Sequence, residues 1–330
     1  MKSALVCGGH GFIGHHLALD LIKKDYWVRT VDINDFVYGD LDVDDYVVED
    51  LRDPAVCDCV TRTPEGKPFD EVFMLAAWMG GAQIIFSHEV DAVVMHDSGL
   101  LNINMAEACK NNKTKKIFYS SSACAYNHQL QLETDNCGLK EDMIFPAFPD
   151  SPYGWEKLFS EILWQSYARN YNMNVKIARF HNVFGGEAAW DNKKEKFPAA
   201  CCRKIARAED GDTIDVFGDG EQTRSFLYID ECLEGIRRLM DSDFAGPVNI
   251  GSDEIISIND LVEMVKDIAG KPNIKINHIP GPLGVRGRTS DNTLIKQKLG
   301  WAPSRPLREG MVKLYQWIDE QVQKGAIDVK

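Results

Sequence analysis

The chain lacks any apolar run approaching the roughly 18 residues that a helix needs to cross a bilayer, so no membrane span is expected. It also lacks the apolar segment and small-residue cleavage site of a leader, running from Met1 straight into KSALVCGG. Its nine cysteines lack a disulfide or zinc pattern: Cys57 and Cys59 are two apart, Cys201 and Cys202 are adjacent, and no CxxC knuckle has a partner. The eight histidines are scattered without metal-ligand spacing, so no metal is expected. Positive charge is short as well. Against 50 Asp and Glu stand 37 Lys and Arg, a net charge of −13 that repels phosphate backbones and argues against a nucleic-acid partner. A small anion held by a local basic cluster is still compatible with it. These deficits together point to a reduced, cytoplasmic protein with no membrane partner.

What is present is ordinary globular material: 330 residues, 44% hydrophobic and 26% charged. That length suits about two domains and a core that needs no disulfide staples. Buried-strand patterns at residues 3–7, 27–31, 71–75, 116–120 and 175–179 alternate with helical spacing at 13–24, 101–109 and 158–167. Strand and helix in repetition imply right-handed crossovers and an α/β fold, a Rossmann-type doubly wound parallel sheet. After residue 179 the rhythm breaks. Residues 181–196 are polar and loop-like. Helices are expected at 197–209, 226–240, 258–269 and 308–322, with a strand at 248–250. The stretch IPGPLGVRGR (279–288) reads as an irregular surface segment. Residues 1–179, with about 225–250, are thus assigned to a dinucleotide-binding domain. Residues 180–224 and 251–330 form a smaller C-terminal α/β substrate domain.

The first strand runs into GGHGFIG, with Gly8, Gly11 and Gly14 at GxxGxxG spacing around Phe12 and Ile13. Glycine permits the sharp turn and close backbone approach to a pyrophosphate, and the helix N-terminus then faces the phosphates. Asp32 ends the next strand, 18 residues after Gly14. A carboxylate there accepts from the adenosine ribose hydroxyls and repels a 2′-phosphate, so the expected cofactor is NAD rather than NADP. Asp50 and Leu51 precede a helix-prone region, where they either flank the adenine or, for Asp50, cap the helix.

Tyr153 and Lys157 have the spacing YxxxK, one helical turn apart on one face. A neighbouring ammonium and a nicotinamide cation would lower the phenol toward working pH, letting it take a proton from a sugar hydroxyl while NAD takes up the hydride. Ser122, in the run Ser120-Ser121-Ser122-Ala123-Cys124, supplies a third hydroxyl. Taken alone, Cys124 reads first as a small buried hydrophobe, and Lys196, in the run KKEK, by default as part of a solvated loop. Arg203, Lys204, Arg207, Arg224, Arg286 and Arg288 make the second half locally basic. Arginine forks match diphosphate oxygens.

With GGxGFIG, Leu75-Ala76-Ala77, the serine run and YxxxK, the chain resembles the extended short-chain dehydrogenase/reductase family. The resemblance implies an N-terminal Rossmann domain with Ala76 beside the cofactor, a sugar-nucleotide domain, and a homodimer. The segments WMGG, SSACAY, RFHNVFG, EKFPAACCRK, FGDGEQTRSF, VNIGSDE, IPGPLGVRGRTSDN and KLGWAP span nearly the whole chain. They resemble the GDP-mannose 3,5-epimerase branch of that family. That resemblance implies a GDP-sugar substrate. It makes Cys124 and Lys196 the acid/base pair at C3 and C5 of the sugar, and Tyr153 the residue at the C4 hydroxyl with Lys157 its partner. It makes Gly81, Asn182, Lys204, Gln222, Arg224 and Arg288 nucleotide-sugar contacts. The chemistry is coherent: oxidising C4 to a ketone acidifies the hydrogens on C3 and C5, and inversion then needs a base on one face and an acid on the other. Related 4,6-dehydratases place a Glu where this chain has Cys124, and 4-epimerases a Thr. Ala82-Gln83-Ile84-Ile85, GEAAWDNKK (186–194) and Asn127-His128 depart from the branch's pattern near where the sugar would sit. Another GDP sugar, such as a 4-keto-6-deoxy-hexose or a heptose, is the rival substrate. A non-catalytic NAD-binding regulator is the rival of another class.

Overall fold

The computed structural model describes residues 1–35, 41–135, 138–192 and 194–326. Its first half runs β1 (Ser3–Cys7), α1 (Phe12–Ile22), β2 (Trp27–Asp32), β3 (Asp45–Val48), α2 (Pro54–Val60), β4 (Glu71–Met74), α3 (Ala82–Ile85), α4 (Asp91–Asn111), β5 (Lys116–Ser122), α5 (Pro152–Tyr171) and β6 (Val175–Phe180). Then follow β7 (Val183–Phe184), α6 (Phe197–Arg207), β8 (Thr213–Phe217), β9 (Thr223–Ser225), β10 (Leu227–Tyr228), α7 (Ile229–Asp241) and β11 (Val248–Ile250). The chain closes with β12 (Ile255–Ser257), α8 (Ile258–Ala269), β13 (Lys275–Ile279), β14 (Gly287–Arg288), α9 (Thr293–Leu299) and α10 (Leu307–Gln323).

The central sheet is parallel throughout, in the order β11-β6-β5-β4-β1-β2-β3. Its inner strands are buried on both faces, as helices on both sides require. Leu17, Leu21, Val28 and Ile236 pack in one core cluster, and Leu5, Val72, Met105 and Ile117 in another. From β1 the chain winds outward to β3, then returns to β4 and winds the other way. The crevice at the C-terminal ends of β1 and β4 is therefore the switch point where ligands bind in such sheets. A further core, with Ile205, Leu261, Val265, Met311 and Ile318, joins α6, α8 and α10.

Several boundaries differ from expectation. β3 alternates partly buried with exposed residues and carries charge, the signature of an edge strand, which hid it in the sequence. Residues 226–228 are not helical: Leu227–Tyr228 pairs with Val183–Phe184, which gives the loop after β6 a strand of its own. Residues 279–288 are not all surface. Val285 and Arg288 are buried, and Gly287–Arg288 pairs with β9. The N-cap of α2 is Asp53, whose carboxylate accepts from the Ala55 amide, and not Asp50. Among the described residues no helix is long and apolar enough to cross a membrane.

Candidate active site

The crevice opens into a cavity of about 900 Å³ whose wall includes the residues singled out from the sequence as candidate site residues, apart from Arg207 and Arg286 of the basic cluster. At its floor the turn after β1 is built as a dinucleotide demands. Gly8 has φ +78°, and a Cβ there would meet the Ala76 backbone at 2.7 Å. A Cβ on Gly14 would lie 2.0 Å from the Gly8 carbonyl, so only glycine lets α1 start this close to β1. No side chain caps α1 at Gly11, which leaves its first amides for a phosphate. Asp32 accepts from the His10 and Asn34 amides and turns its carboxylate to the cavity. Asp50 pairs with Arg52, which also holds Asp97 and keeps the Asp50 carboxyl below its usual range. Leu51, buried beside it, completes that wall. An uncapped helix end, glycines that no Cβ could replace and a carboxylate at the ribose position fit NAD.

Tyr153 and Lys157 project from α5, which Ser151 caps through the Gly154 amide and Pro152 starts. Both are nearly fully buried. The Lys157 ammonium donates to the Ser120 carbonyl at 3.1 Å and lies 5.8 Å from the Tyr153 ring centre. Burial lowers Lys157 from the ordinary lysine value. Burial also pushes the Tyr153 phenol up, and Cys124 adds to the rise while the Ser122 hydroxyl opposes it. The chain's own groups thus hold the phenol protonated. The net lowering expected from the neighbouring ammonium is not seen, because burial outweighs the groups that favour the phenolate.

Ser122 ends β5 and its hydroxyl accepts from the Cys124 amide at 3.2 Å, fixing the short turn that presents the thiol. Arg288 donates to the Cys124 sulfur at 3.1 Å. Lys196 sits at the N-cap of α6, followed by Phe197 and Pro198 in the first turn. Burial lowers its ammonium, and the facing Cys124 opposes that shift. The segment before it is pinned by Gly81, where a Cβ would lie 2.4 Å from the Glu195 carbonyl.

The basic cluster resolves into unequal parts. Arg203 pairs with Glu195, Arg207 with Asp191, Arg286 with Asp219 and Arg288 with Asp150. Arg224 instead donates to the carbonyls of Thr223, Leu283 and Val285, and Lys204 to that of Asp215. Among the described residues no carboxylate lies within ion-pair distance of either. Burial first, then Arg288, pushes Arg224 down to about 9, the mark of a cation short of a counter-charge. Gln222 donates to the Phe217 carbonyl, while its buried carbonyl oxygen has no hydrogen-bond partner among the described residues. Asn182, at φ +39°, donates to Ser225. Sequence reasoning missed Asp150 and Gln131. Each acts through a partner far along the chain, so no local motif marks them. Among the described residues no group of His, Cys, Asp or Glu is placed to hold a metal ion.

The family model described as "NAD dependent epimerase/dehydratase family" matches residues 4–251. The GDP-mannose 3,5-epimerase of Arabidopsis thaliana is 46% identical over 97% of this chain and 82% of its own length. Among solved structures, the UDP-glucose 4-epimerase of Thermotoga maritima with UDP-glucose superposes with a TM-score of 0.84 at 25% identity, covering 97% of this chain and all of the other. The UDP-glucuronic acid 4-epimerase of Bacillus cereus, in complex with UDP-glucuronic acid and NAD, gives a TM-score of 0.80 at 25% identity over 97% and 99% of the two chains.

Proposed function

The chain belongs to the NAD dependent epimerase/dehydratase family, and from that premise we propose that it inverts C3 and C5 of GDP-mannose, giving GDP-L-galactose through a transient C4 ketone. The observation that carries the reading is a thiol and a lysine, Cys124 and Lys196, facing the same cavity as Tyr153 and Lys157. Inverting C4 alone requires no acid/base pair at the neighbouring carbons.

NAD, when bound, supplies the acceptor that takes a hydride from C4 and returns it, together with a positive ring beside the phenol. Tyr153 takes the proton of the C4 hydroxyl, with Lys157 fixed by the Ser120 carbonyl one turn away. Ser122 holds both the sugar hydroxyl and, through the Cys124 amide, the turn that bears the thiol. With C4 a ketone, Cys124 removes the proton from C3 or C5 and Lys196 delivers one from the opposite face. Burial lowers the Lys196 ammonium, which suits it to giving up a proton. Arg224 and Lys204 are the cations left to meet the diphosphate, with Gly81, Asn182, Gln222 and Arg288 lining the remainder. We assign residues 1–179 and about 225–250 to the cofactor, and 180–224 and 251–330 to the nucleotide sugar.

The test is NMR of GDP-mannose recovered after incubation in deuterated water. Solvent deuterium at C3 and C5 with inversion at both is expected. Inversion of C4 without solvent label would overturn the reading, and turnover of another GDP sugar in its place would move it to the rival substrate. A regulator without activity would have no use for the thiol beside the YxxxK pair.

The assembly proposed is a homodimer. The buried face of α5 carries Tyr153, Lys157, Leu158 and Trp164, yet Trp155, Phe159 and Ile162 on its other side are 43%, 46% and 42% exposed. On α4, which packs against α5, Val93, Met95 and Ile103 are exposed too. Such an apolar patch suits a second copy of the same two helices. Light scattering at micromolar concentration should report a dimer, and Phe159→Glu a monomer. A wild-type monomer would sink the assignment. Eight described cysteines are free thiols, which supports a reducing, cytoplasmic setting.

A further inference from the structure

We propose that Asp150 and Gln131 are positioning residues that aim the Arg288 guanidinium at the Cys124 sulfur, giving the thiolate a built-in counter-ion. The inference rests on the reading of Cys124 as the base at carbon, and it gives Arg288 a duty other than contact with the nucleotide sugar.

The geometry is a three-armed clamp. The Arg288 Nε donates to Gln131 Oε1, one terminal nitrogen donates to Cys124 Sγ at 3.1 Å, and the other to Asp150 Oδ2 at 2.9 Å. Every nitrogen of the fork is engaged by a protein group, and Arg288 is 6% exposed. The holders are themselves held. Gln131 is fully buried and its side-chain amide donates to the Asn127 carbonyl at 3.1 Å, while its main-chain carbonyl accepts from the Arg286 amide at 2.9 Å. The Asp150 side chain is 3% exposed. Arg288 lies in β14, whose backbone pairs with β9.

A neutral thiol is a weak acceptor, whereas a thiolate beside a guanidinium gains a charge-assisted bond. Planarity is what the site uses. An ammonium has no fork with which to reach an amide, a carboxylate and a sulfur in fixed directions. The Cys124 sulfur and the Asp150 carboxylate both favour the charged form of Arg288 against the cost of its burial. The arrangement also explains why Arg224 and Lys204, rather than Arg288, are the cations free of carboxylate partners at the substrate end of the cavity.

The experiment measures thiol reactivity in the NAD-loaded protein with no sugar present. Iodoacetamide is added across pH 5–10, and alkylation of the Cys124 peptide is followed by mass spectrometry, with the exposed Cys59 as internal reference. The readout is the pH midpoint of the Cys124 rate, which a change in access alone does not move. Arg288→Gln should raise that midpoint and slow alkylation at pH 7 by about tenfold or more, the size of effect that loss of a neighbouring cation has on a thiolate. Asp150→Asn and Gln131→Met should move it in the same direction by a smaller amount. The sign is decisive for Asp150. If it acted merely as a negative charge near the sulfur, its removal would lower the midpoint. A lowered midpoint in Asp150→Asn, or an unmoved one in Gln131→Met, overturns the proposal. Retained NAD and an unchanged far-UV spectrum certify that each variant folds. Because no sugar is used, failure of GDP-mannose as substrate would leave this result standing.

Discussion

Tyr153 and Cys124 line one cavity but are assigned above to different atoms of the sugar, so substitution should separate them. Tyr153→Phe removes the acceptor for the C4 hydroxyl proton, and every later step should fail with it. Cys124→Ala leaves the oxidation machinery whole: some 4-keto sugar should form, with exchange of solvent deuterium into C3 and C5 slowed by about 10²–10⁴, the usual effect of losing a positioned acid or base. Lys196→Ala should lie between the two, since Cys124 still removes a proton and returns it to the original face. Its signature is label without inversion. NMR of recovered sugar distinguishes all three. Near wild-type labelling by Cys124→Ala would show that the thiol is not the base. Burial keeps the Tyr153 phenol protonated in the chain by itself, so its activation depends on charge brought in by the cofactor. Removing Lys157, whose ammonium is turned to the Ser120 carbonyl, should therefore disturb the placement of groups around the phenol more than the charge upon it.

At the scale of elements, the segment that delivers Lys196 is held by backbone contact with Gly81. A methyl at that position would lie 2.4 Å from the Glu195 carbonyl, and a backbone atom cannot swing away as a side chain can. Gly81→Ala should therefore push the 194–196 segment back, cutting inversion by about tenfold or more, the cost of misplacing a catalytic group by about an ångström. NAD binding, measured by calorimetry, should be unchanged, because the glycine turn at residues 8–14 packs on Ala76 and on itself, whereas Gly81 meets Glu195 and Lys194. Equal loss of both would mean that the fold, not the segment, had failed. The same contrast explains what was legible in the sequence. The turn after β1, the carboxylate of Asp32 at the end of β2 and the pair on α5 are each encoded within a few residues, so their placement follows from spacing. The clamp on Cys124 joins positions 164 and 138 residues apart, Arg288 to Cys124 and to Asp150. Strands of two or three residues such as β7, β9 and β14 exist only because a distant partner supplies their hydrogen bonds. Residues 279–288 looked like surface because proline and glycine mark both exposed loops and segments that wrap a site. Nothing local separates the two.

For the whole molecule, the β6–β11 edge of the sheet is tied to α5, Tyr126 and Leu139 by a buried polar network, and that network makes stability depend on pH. His181, just past the end of β6, is fully buried and its Nε2–H donates to Asn249 of β11 at 3.1 Å. Asn249 also accepts from Tyr126 and donates to the Leu139 carbonyl, and Arg179 in β6 binds both Tyr126 and Glu161. Burial holds the His181 imidazole neutral, lowering it from 6.5 to about 3, with the Arg288 and Arg179 charges adding to the shift and the Asn249 bond opposing it. Between those values the unfolded chain binds a proton that the native imidazole refuses. The stabilising contribution is therefore complete above pH 6.5 and is lost as the pH falls through that window, by about 1.4 kcal/mol per unit. Urea unfolding at saturating NAD should show this loss beginning between about pH 6.5 and 5.5, above the range in which ordinary carboxylates titrate. His181→Gln keeps a donor for Asn249 but has nothing to protonate, so it should cost stability at pH 7.5 and flatten the slope. Histidines that remain, among them His16, which burial also lowers, contribute equally to both proteins and drop out of the comparison. If the variant keeps the wild-type slope, the acid sensitivity resides in those other groups and His181 is not the residue that sets it.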